Sequence, residues 1–154
     1  MNAVGLEIRA ARPEDVDRIA RLVREAYAVY VERVGRKPAP MTADYRALVR
    51  AGAVWVALEG KAMAGILVVE PRDEALLLEN VAVAPAAQGR GIGRALVAFA
   101  ERRARDLGLG KVELYTNARM SENLAFYPRI GYVKVDRRCE GGFDRVFFEK
   151  TLDA

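Results

Sequence analysis

Histidine does not occur in this chain, and cysteine occurs once, at Cys139. Without histidine there is no imidazole general base, no common zinc ligand and no Ser–His or Cys–His nucleophile pair. Acid–base chemistry is left to Glu, Asp, Tyr, Lys or water. A single cysteine excludes an internal disulfide and a cysteine-rich metal site, so no metal is expected. Long apolar runs are missing too, since none approaches the ~20 residues of a membrane span. The opening "MNAVGLEIRAARPED" has no basic segment followed by an apolar core. No secretory signal is therefore expected, and a cytoplasmic location is the economical reading.

Nor is charge strongly one-sided, with 25 basic residues against 21 acidic and a net charge of +4. Nucleic-acid binders gather their basic residues on one face. Here "ERRARD" and "DRRCE" interleave both signs, as a solvated surface does. Neither nucleic acid nor membrane is expected as a partner, while the slight excess suits an anionic small ligand. What remains is an ordinary globular composition, 52% hydrophobic and 30% charged. Its 154 residues are enough for one domain, 1–154, with a buried core.

The elements follow from periodicity. "GLEIRAAR" alternates as a first strand, and Pro13, Glu14 and Asp15 suit the start of a helix that keeps apolar spacing to Gly35. "GRKPAPM" must be a loop, after which Thr42 can cap a short helix to about Arg50. "AVWVALE" and "AMAGILVVE" flank Gly60-Lys61 as a hairpin, and "ALLLENVAVA" is apolar on both faces, as a central strand is. A long helix opens near Gly91, with Ile92, Leu96, Phe99, Ala100, Ala104 and Leu107 on one side, and stops at Gly108 and Gly110. "KVELYTN", the short helix "SENLAFY" and a strand pair joined through Gly141-Gly142 complete the chain. The order is β-α-α-β-β-β-α-β-α-β-β, an α/β or α+β arrangement.

The most informative stretch is "AVAPAAQGRGIGRALVAFAE", residues 82–101. Gly89, Gly91 and Gly93 stand between an apolar strand and an amphipathic helix, where glycine would otherwise cost helix stability. The first N–H groups of a helix lack partners and carry partial positive charge, so a bare glycine turn there suits a phosphate or pyrophosphate. Arg90 and Arg94 add charge. A P-loop would need Gly-Lys-Ser/Thr, and here Gly93 precedes Arg94-Ala95. The spacing is not G-x-G-x-x-G either, and Lys111 begins a strand where a dinucleotide site wants an acid. The alternative is a turn that merely links strand to helix.

"VAVAPAAQGRGIGRAL" resembles the signature of the GNAT superfamily of N-acetyltransferases, Gln/Arg-x-x-Gly-x-Gly/Ala, here Gln88, Gly91 and Gly93. "ENLAFYPRIGY" is similar to a second family segment, and the element order matches over essentially the whole chain. The resemblance implies a mixed central sheet of about seven strands flanked by about four helices. It implies acetyl-coenzyme A between the fourth and fifth strands, with its pantetheine arm along Val81, Ala82 and Val83. Its pyrophosphate would lie on the amides of Gly89, Arg90, Gly91, Ile92, Gly93 and Arg94, beside Gln88. The implied reaction is direct acetyl transfer from the thioester to an amine.

Two side chains carry the implied chemistry. Tyr127 matches the family tyrosine that protonates the departing sulfur, and a phenol with pKa near ~10 can do so. Glu79, inside the apolar fourth strand, would have its carboxyl raised by burial toward the range of a general base, directly or through water. The alternatives are packing for Tyr127 and a structural or orienting carboxylate for Glu79. The sequence departs from the family in placing Met120 where an Asn stands seven residues before the tyrosine, with Asn117 and Asn123 as nearby substitutes. Pro128 is expected to stop or kink the helix at the tyrosine.

Acceptor choice in the family lies in the first two helices, their loop and the last strand pair. Tyr27, Tyr30 and Tyr45 are candidates to line a cleft, or else simple core, and Arg33, Arg36 and Lys37 to hold a carboxylate. A small or amino-acid-like amine is the expected acceptor. A protein amino group or a non-catalytic acetyl-coenzyme A sensor are the alternatives, and a homodimer is consistent with the resemblance.

Overall fold

Seven strands form in the computed structural model of the chain, which describes residues 5–153. Residues 1–4, part of the opening stretch considered for a secretory signal, and residue 154 lie outside the described residues. The strands are β1 (Leu6–Ala10), β2 (Val54–Glu59), β3 (Ala62–Arg72), β4 (Ala75–Val83), β5 (Lys111–Asn117), β6 (Val133–Glu140) and β7 (Phe143–Thr151). They form one mixed sheet in the order β1-β2-β3-β4-β5-β7-β6. Every pairing is antiparallel except β4 with β5. The run apolar on both faces, β4, is thus the central strand, with layers packed on either side.

Five α-helices cover the sheet: α1 (Val16–Tyr27), α2 (Tyr30–Val34), α3 (Tyr45–Arg50), α4 (Ile92–Asp106) and α5 (Ser121–Arg129). The first expected helix is divided because the Val31 N–H bonds the Ala28 carbonyl at 3.3 Å, a three-residue contact that tightens the turn between α1 and α2. It still ends at Gly35, whose positive φ of 86° closes the C-terminus. Asp44, not Thr42, caps α3: its side chain accepts from the Ala47 N–H at 3.1 Å. Thr42 instead donates to the Ala39 carbonyl within a short 3-10 turn, Ala39–Thr42. Pro128 does not stop α5 at Tyr127. It lies in the last helical turn, where its missing N–H costs a single bond, and the chain leaves after Arg129.

Two clusters share the sheet. Under α4, Leu67, Leu76, Leu96, Val112 and their neighbours are sealed from solvent, and α1 and α3 seal a second cluster with Ile19, Val23, Val56 and Ile66. Each such buried aliphatic side chain contributes about 1.5–3 kcal/mol. Leu107, counted with the apolar face of α4, is exposed at the helix end. Gly65 of β3 sets how closely α4 approaches, because a Cβ there would stand 3.0 Å from both the Ala82 carbonyl oxygen and Leu96 Cδ1. No helix among the described residues is long and apolar enough to cross a membrane.

Candidate functional site

The strands at the centre of the sheet part company halfway along. β4 pairs with β5 from Ala75↔Lys111 to Leu78↔Leu114 and no further. Residues 79–83 and 115–117 therefore diverge as the two walls of a wedge. A bulge stands at the point of divergence: Val69 faces Leu78 and Val68 faces Asn80, leaving Glu79 as an extra residue in β4. Such a bulge bends its strand and re-aims side chains. Before it, Leu76 and Leu78 join the cluster under α4; after it, the odd positions Val81 and Val83 do so.

The backbone beyond the bulge points into the wedge. The Ala84 N–H donates to the Ala64 carbonyl at 2.8 Å, so position 84 turns toward β3. Alternation then sends the polar groups of Val81 and Val83 toward the gap, with Ala82 turned to β3. The Val83 carbonyl accepts from Gln88 Nε2 at 3.3 Å, which places Gln88 at the mouth.

The glycine turn follows at once. Gly89 and Gly91 take φ of +80° and +81°, and Gly91 is the residue that begins α4 without any side-chain cap. The first bond into the helix runs from the Ala95 N–H to the Gly91 carbonyl at 3.0 Å, so the amides of Ile92, Gly93 and Arg94 precede the helical ladder. No hydrogen bond among the described residues uses an amide of residues 89–94. A Cβ on Gly89 or Gly91 would meet nothing within 4 Å, so the space before these donors is open. The 15-residue helix adds its positive end to them. Arg94 is exposed beside the turn, whereas Arg90 reaches across to Glu59 at 2.7 Å and spends its charge there.

Glu79 and Tyr127 face one cleft at the inner end of the wedge, where Asn117 and Asn123 also stand. Glu79 is half-buried, and its carboxylate has no ion pair among the described residues. Burial first, and then the negative Glu70, push its carboxyl above the ordinary range, with Arg72 opposing. Tyr127 is 6% exposed, packed edge-on against Phe126 and Tyr132. Its hydroxyl has no hydrogen-bond partner among the described residues yet is not sealed off, so it opens on the cleft. Burial alone raises its pKa well above that of a free phenol. Asn117 Oδ1 accepts from the Arg119 N–H at 2.8 Å, and Asn123 Nδ2 donates to Thr116 Oγ1 at 3.1 Å. Met120 fills the space beneath Asn123, its sulfur 3.6 Å from Asn123 Nδ2.

The side of the cleft formed by the first helices and the last strand pair differs from expectation in its charges. Tyr27 and Tyr45 are both core and lining: the Tyr27 hydroxyl donates to Asn80 Oδ1 at 2.5 Å, Asn80 Nδ2 donates to the Tyr45 hydroxyl at 3.2 Å, and Tyr45 donates to the Pro40 carbonyl at 2.5 Å. This chain ties α1, α3 and the loop between them to the residue after Glu79, and burial pushes the Tyr45 phenol up to about 12. Tyr30 lies outside the cleft, under the Arg33 guanidinium. Arg33 pairs with Glu122 at 2.7 Å, and Arg36 donates to the Gly141 carbonyl while lying 3.8 Å over the Phe143 ring. Neither these nor Lys37 lines the cleft; Arg145 of β7 does. The sequence signal for Arg145 was the alternation of "FDRVFFEK", which puts it opposite the buried Val146 and Phe148.

Comparison with known proteins bears on this geometry. A family model described as an acetyltransferase (GNAT) domain matches residues 50–134, a span holding β4, the glycine turn, α4, β5 and Tyr127. A mycothiol acetyltransferase of Pseudarthrobacter chlorophenolicus is 43% identical over 56 residues, 36% of this chain but only 17% of that protein's length. The fold is similar to that of the PaiA N-acetyltransferase of Thermoplasma acidophilum, solved in complex with coenzyme A, at 17% identity with a TM-score of 0.81 over 96% of this chain and 99% of that one. It is also similar to the ribosomal-protein-S18-alanine N-acetyltransferase of Escherichia coli, at 17% identity with a TM-score of 0.75 over 97% and 95% of the two chains.

Proposed function

This chain belongs to the GNAT acetyltransferase family, and on that premise we propose that it moves an acetyl group from acetyl-coenzyme A directly to the amine of a small-molecule acceptor. One observation carries the reading: the wedge between β4 and β5 has unpartnered amides at its mouth and Glu79 and Tyr127 at its inner end. The amides of Gly89, Arg90, Gly91, Ile92, Gly93 and Arg94 suit a pyrophosphate by charge and by open approach. Val81 and Val83 offer backbone donors and acceptors to an extended amide-bearing arm, on either side of Ala82, and Gln88 steadies that edge through the Val83 carbonyl. Asn117 and Asn123 supply side-chain amides nearby.

The coenzyme supplies a thioester whose C–S bond breaks as the amine forms its C–N bond. Before that attack, Glu79 accepts the proton that the ammonium form of the acceptor must lose to expose its lone pair, directly or through a water. Burial raises its pKa, which makes it a better base than an ordinary carboxylate. Tyr127 donates its O–H to the departing sulfur and recovers a proton from solvent. Because burial raises its pKa, the phenol stays protonated across neutral pH and always has a hydrogen to give.

Amine-dependent release of the coenzyme thiol tests this reading, and Glu79→Gln gives it a sign. Below the acceptor's pKa the amine is protonated and needs a base, so the variant is expected to lose about 10²-fold near pH ~6. Above that pKa the free amine is abundant, and the rates of variant and wild type should converge. A raised carboxyl pKa also places the acidic limb of the wild-type profile closer to neutrality than a solvent-exposed Glu would. A variant profile of unchanged shape and height would make Glu79 structural, and no amine-dependent release from any amine would leave only a coenzyme-binding module.

A further inference from the structure

We infer that the acceptor is an amino-carboxylate with an apolar body, and that Arg145 is the residue that recognises its carboxylate; this rests on the acetyltransferase reading of the same cleft. Among the described residues lining that cleft, Arg145 is the one cation and Glu79 the one carboxylate. The remaining lining is mostly apolar or aromatic, including Pro40, Leu48, Met120 and Phe143.

Arg145 is held but not satisfied. It stands on β7 opposite Asn117 of β5, with its guanidinium carbon 4.3 Å from the centre of the Tyr115 ring and 5.4 Å from that of Phe143. Its side chain is only 17% exposed. Its one anionic contact, to Glu140, is long at 3.4 Å, and Arg138 holds the same carboxylate at 2.9 Å. A guanidinium has five N–H donors in a plane, and no other hydrogen bond from that of Arg145 exists among the described residues. The guanidinium lies over the Tyr115 ring, and all but one of its donors are without a partner among the described residues and so remain for a ligand. A charge drawn this far from water needs a partner, and a planar carboxylate fits the guanidinium edge with two bonds.

The local balance of charge favours a carboxylate over a phosphate. Glu140 lies against the guanidinium and Glu79 lines the same cleft, so a doubly charged anion would meet two carboxylates there. An acceptor with one negative and one positive end meets Arg145 with the first and Glu79 with the second. Glu79 attracts the ammonium on entry and then takes its proton, so one contact serves both capture and activation.

The test compares leucine, methionine and phenylalanine with their α-carboxamides by coenzyme thiol release, in the wild type, Arg145→Gln and Arg145→Lys. Each acid-to-amide ratio of kcat/KM in a variant is divided by the wild-type ratio, which cancels the intrinsic difference in amine basicity. Arg145→Gln is expected to lower the ratio about tenfold or more, mainly through KM for the acid. Arg145→Lys keeps the charge without the fork and should fall between, which also decides the matter if the glutamine variant fails to fold. An unchanged ratio overturns the inference while leaving acetyl transfer in place. So does turnover confined to amines without a carboxylate. If no amine of any kind is acetylated, the acetyltransferase reading fails and this inference fails with it.

Discussion

Valine in place of Gly91 is expected to weaken acetyl-coenzyme A binding by about 100-fold or more while leaving the protein folded. The residue sits at φ +81°, where a β-branched side chain is strained, and a left-handed residue costs roughly 1–2 kcal/mol. No protein atom lies within 4 Å of the added Cβ, so the core is untouched and the destabilisation should stay near that figure. The consequences fall on the ligand side. Either the valine keeps the turn and its methyls occupy the space before the amides, or the turn relaxes and the amides of Ile92 and Gly93 swing away. Losing two or three hydrogen bonds to a charged group, each about 1.5 kcal/mol, accounts for the expected loss. Equilibrium titration of the folded variant is the check, and wild-type affinity would undo the cradle.

The second large effect is expected from Tyr127→Phe. Its hydroxyl has no protein partner among the described residues, so removing it leaves no orphaned donor or acceptor, and the ring keeps its packing against Phe126, Tyr132 and Phe148. Stability should therefore change by only about 0.5 kcal/mol. Coenzyme affinity should hardly move, because the hydroxyl is proposed to meet the sulfur only as it departs. The rate should fall by about 10²-fold, the usual size of a lost general acid. A fall in kcat with KM for the coenzyme unchanged is the expected pattern. An unchanged kcat would reduce Tyr127 to packing.

What the sequence disclosed was whatever depends on short-range pattern. Alternation, hairpin turns and apolar runs located all seven strands, the apolar run of β4 put it at the centre, and three glycines in five residues marked the turn before α4. Those signals are local because strand facing, hairpin closure and a positive φ are decided within a few residues. Two of the readings that failed in detail turned on small local differences. Thr42 and Asp44 are both capping residues, and only the second lies immediately before Tyr45, where its carboxylate reaches the Ala47 N–H. Pro128 can occupy the last turn of α5 because a helix end has few bonds left to lose.

The parts that escaped depend on partners distant in the chain. Asn80 is a lone amide in an apolar strand, and its partners Tyr27 and Tyr45 lie 53 and 35 positions away. The bulge at Glu79 has no glycine or proline to announce it; it exists because Leu78 and Asn80 must face opposite clusters. Arg33 and Arg36 looked available until the fold brought Glu122 and the Gly141 carbonyl to them. Arg145 was not singled out within the last strand pair, although its position in the alternation already put it across the sheet from the α4 cluster. The family match over residues 50–134 shows the same division: it holds the glycine turn and Tyr127, whereas α1, most of α3, and Arg145 lie beyond it.

The most direct test of the central claim is a calorimetric titration of the wild-type protein with acetyl-coenzyme A, run beside free adenosine 3′,5′-bisphosphate. If the amides after Gly89 hold the pyrophosphate and β4 holds the arm, the full coenzyme binds with one-to-one stoichiometry and much more tightly than the bisphosphate, which lacks both. Equal binding of the two would contradict the wedge as the site of the arm. No binding of either would mean that the glycine turn is only a turn.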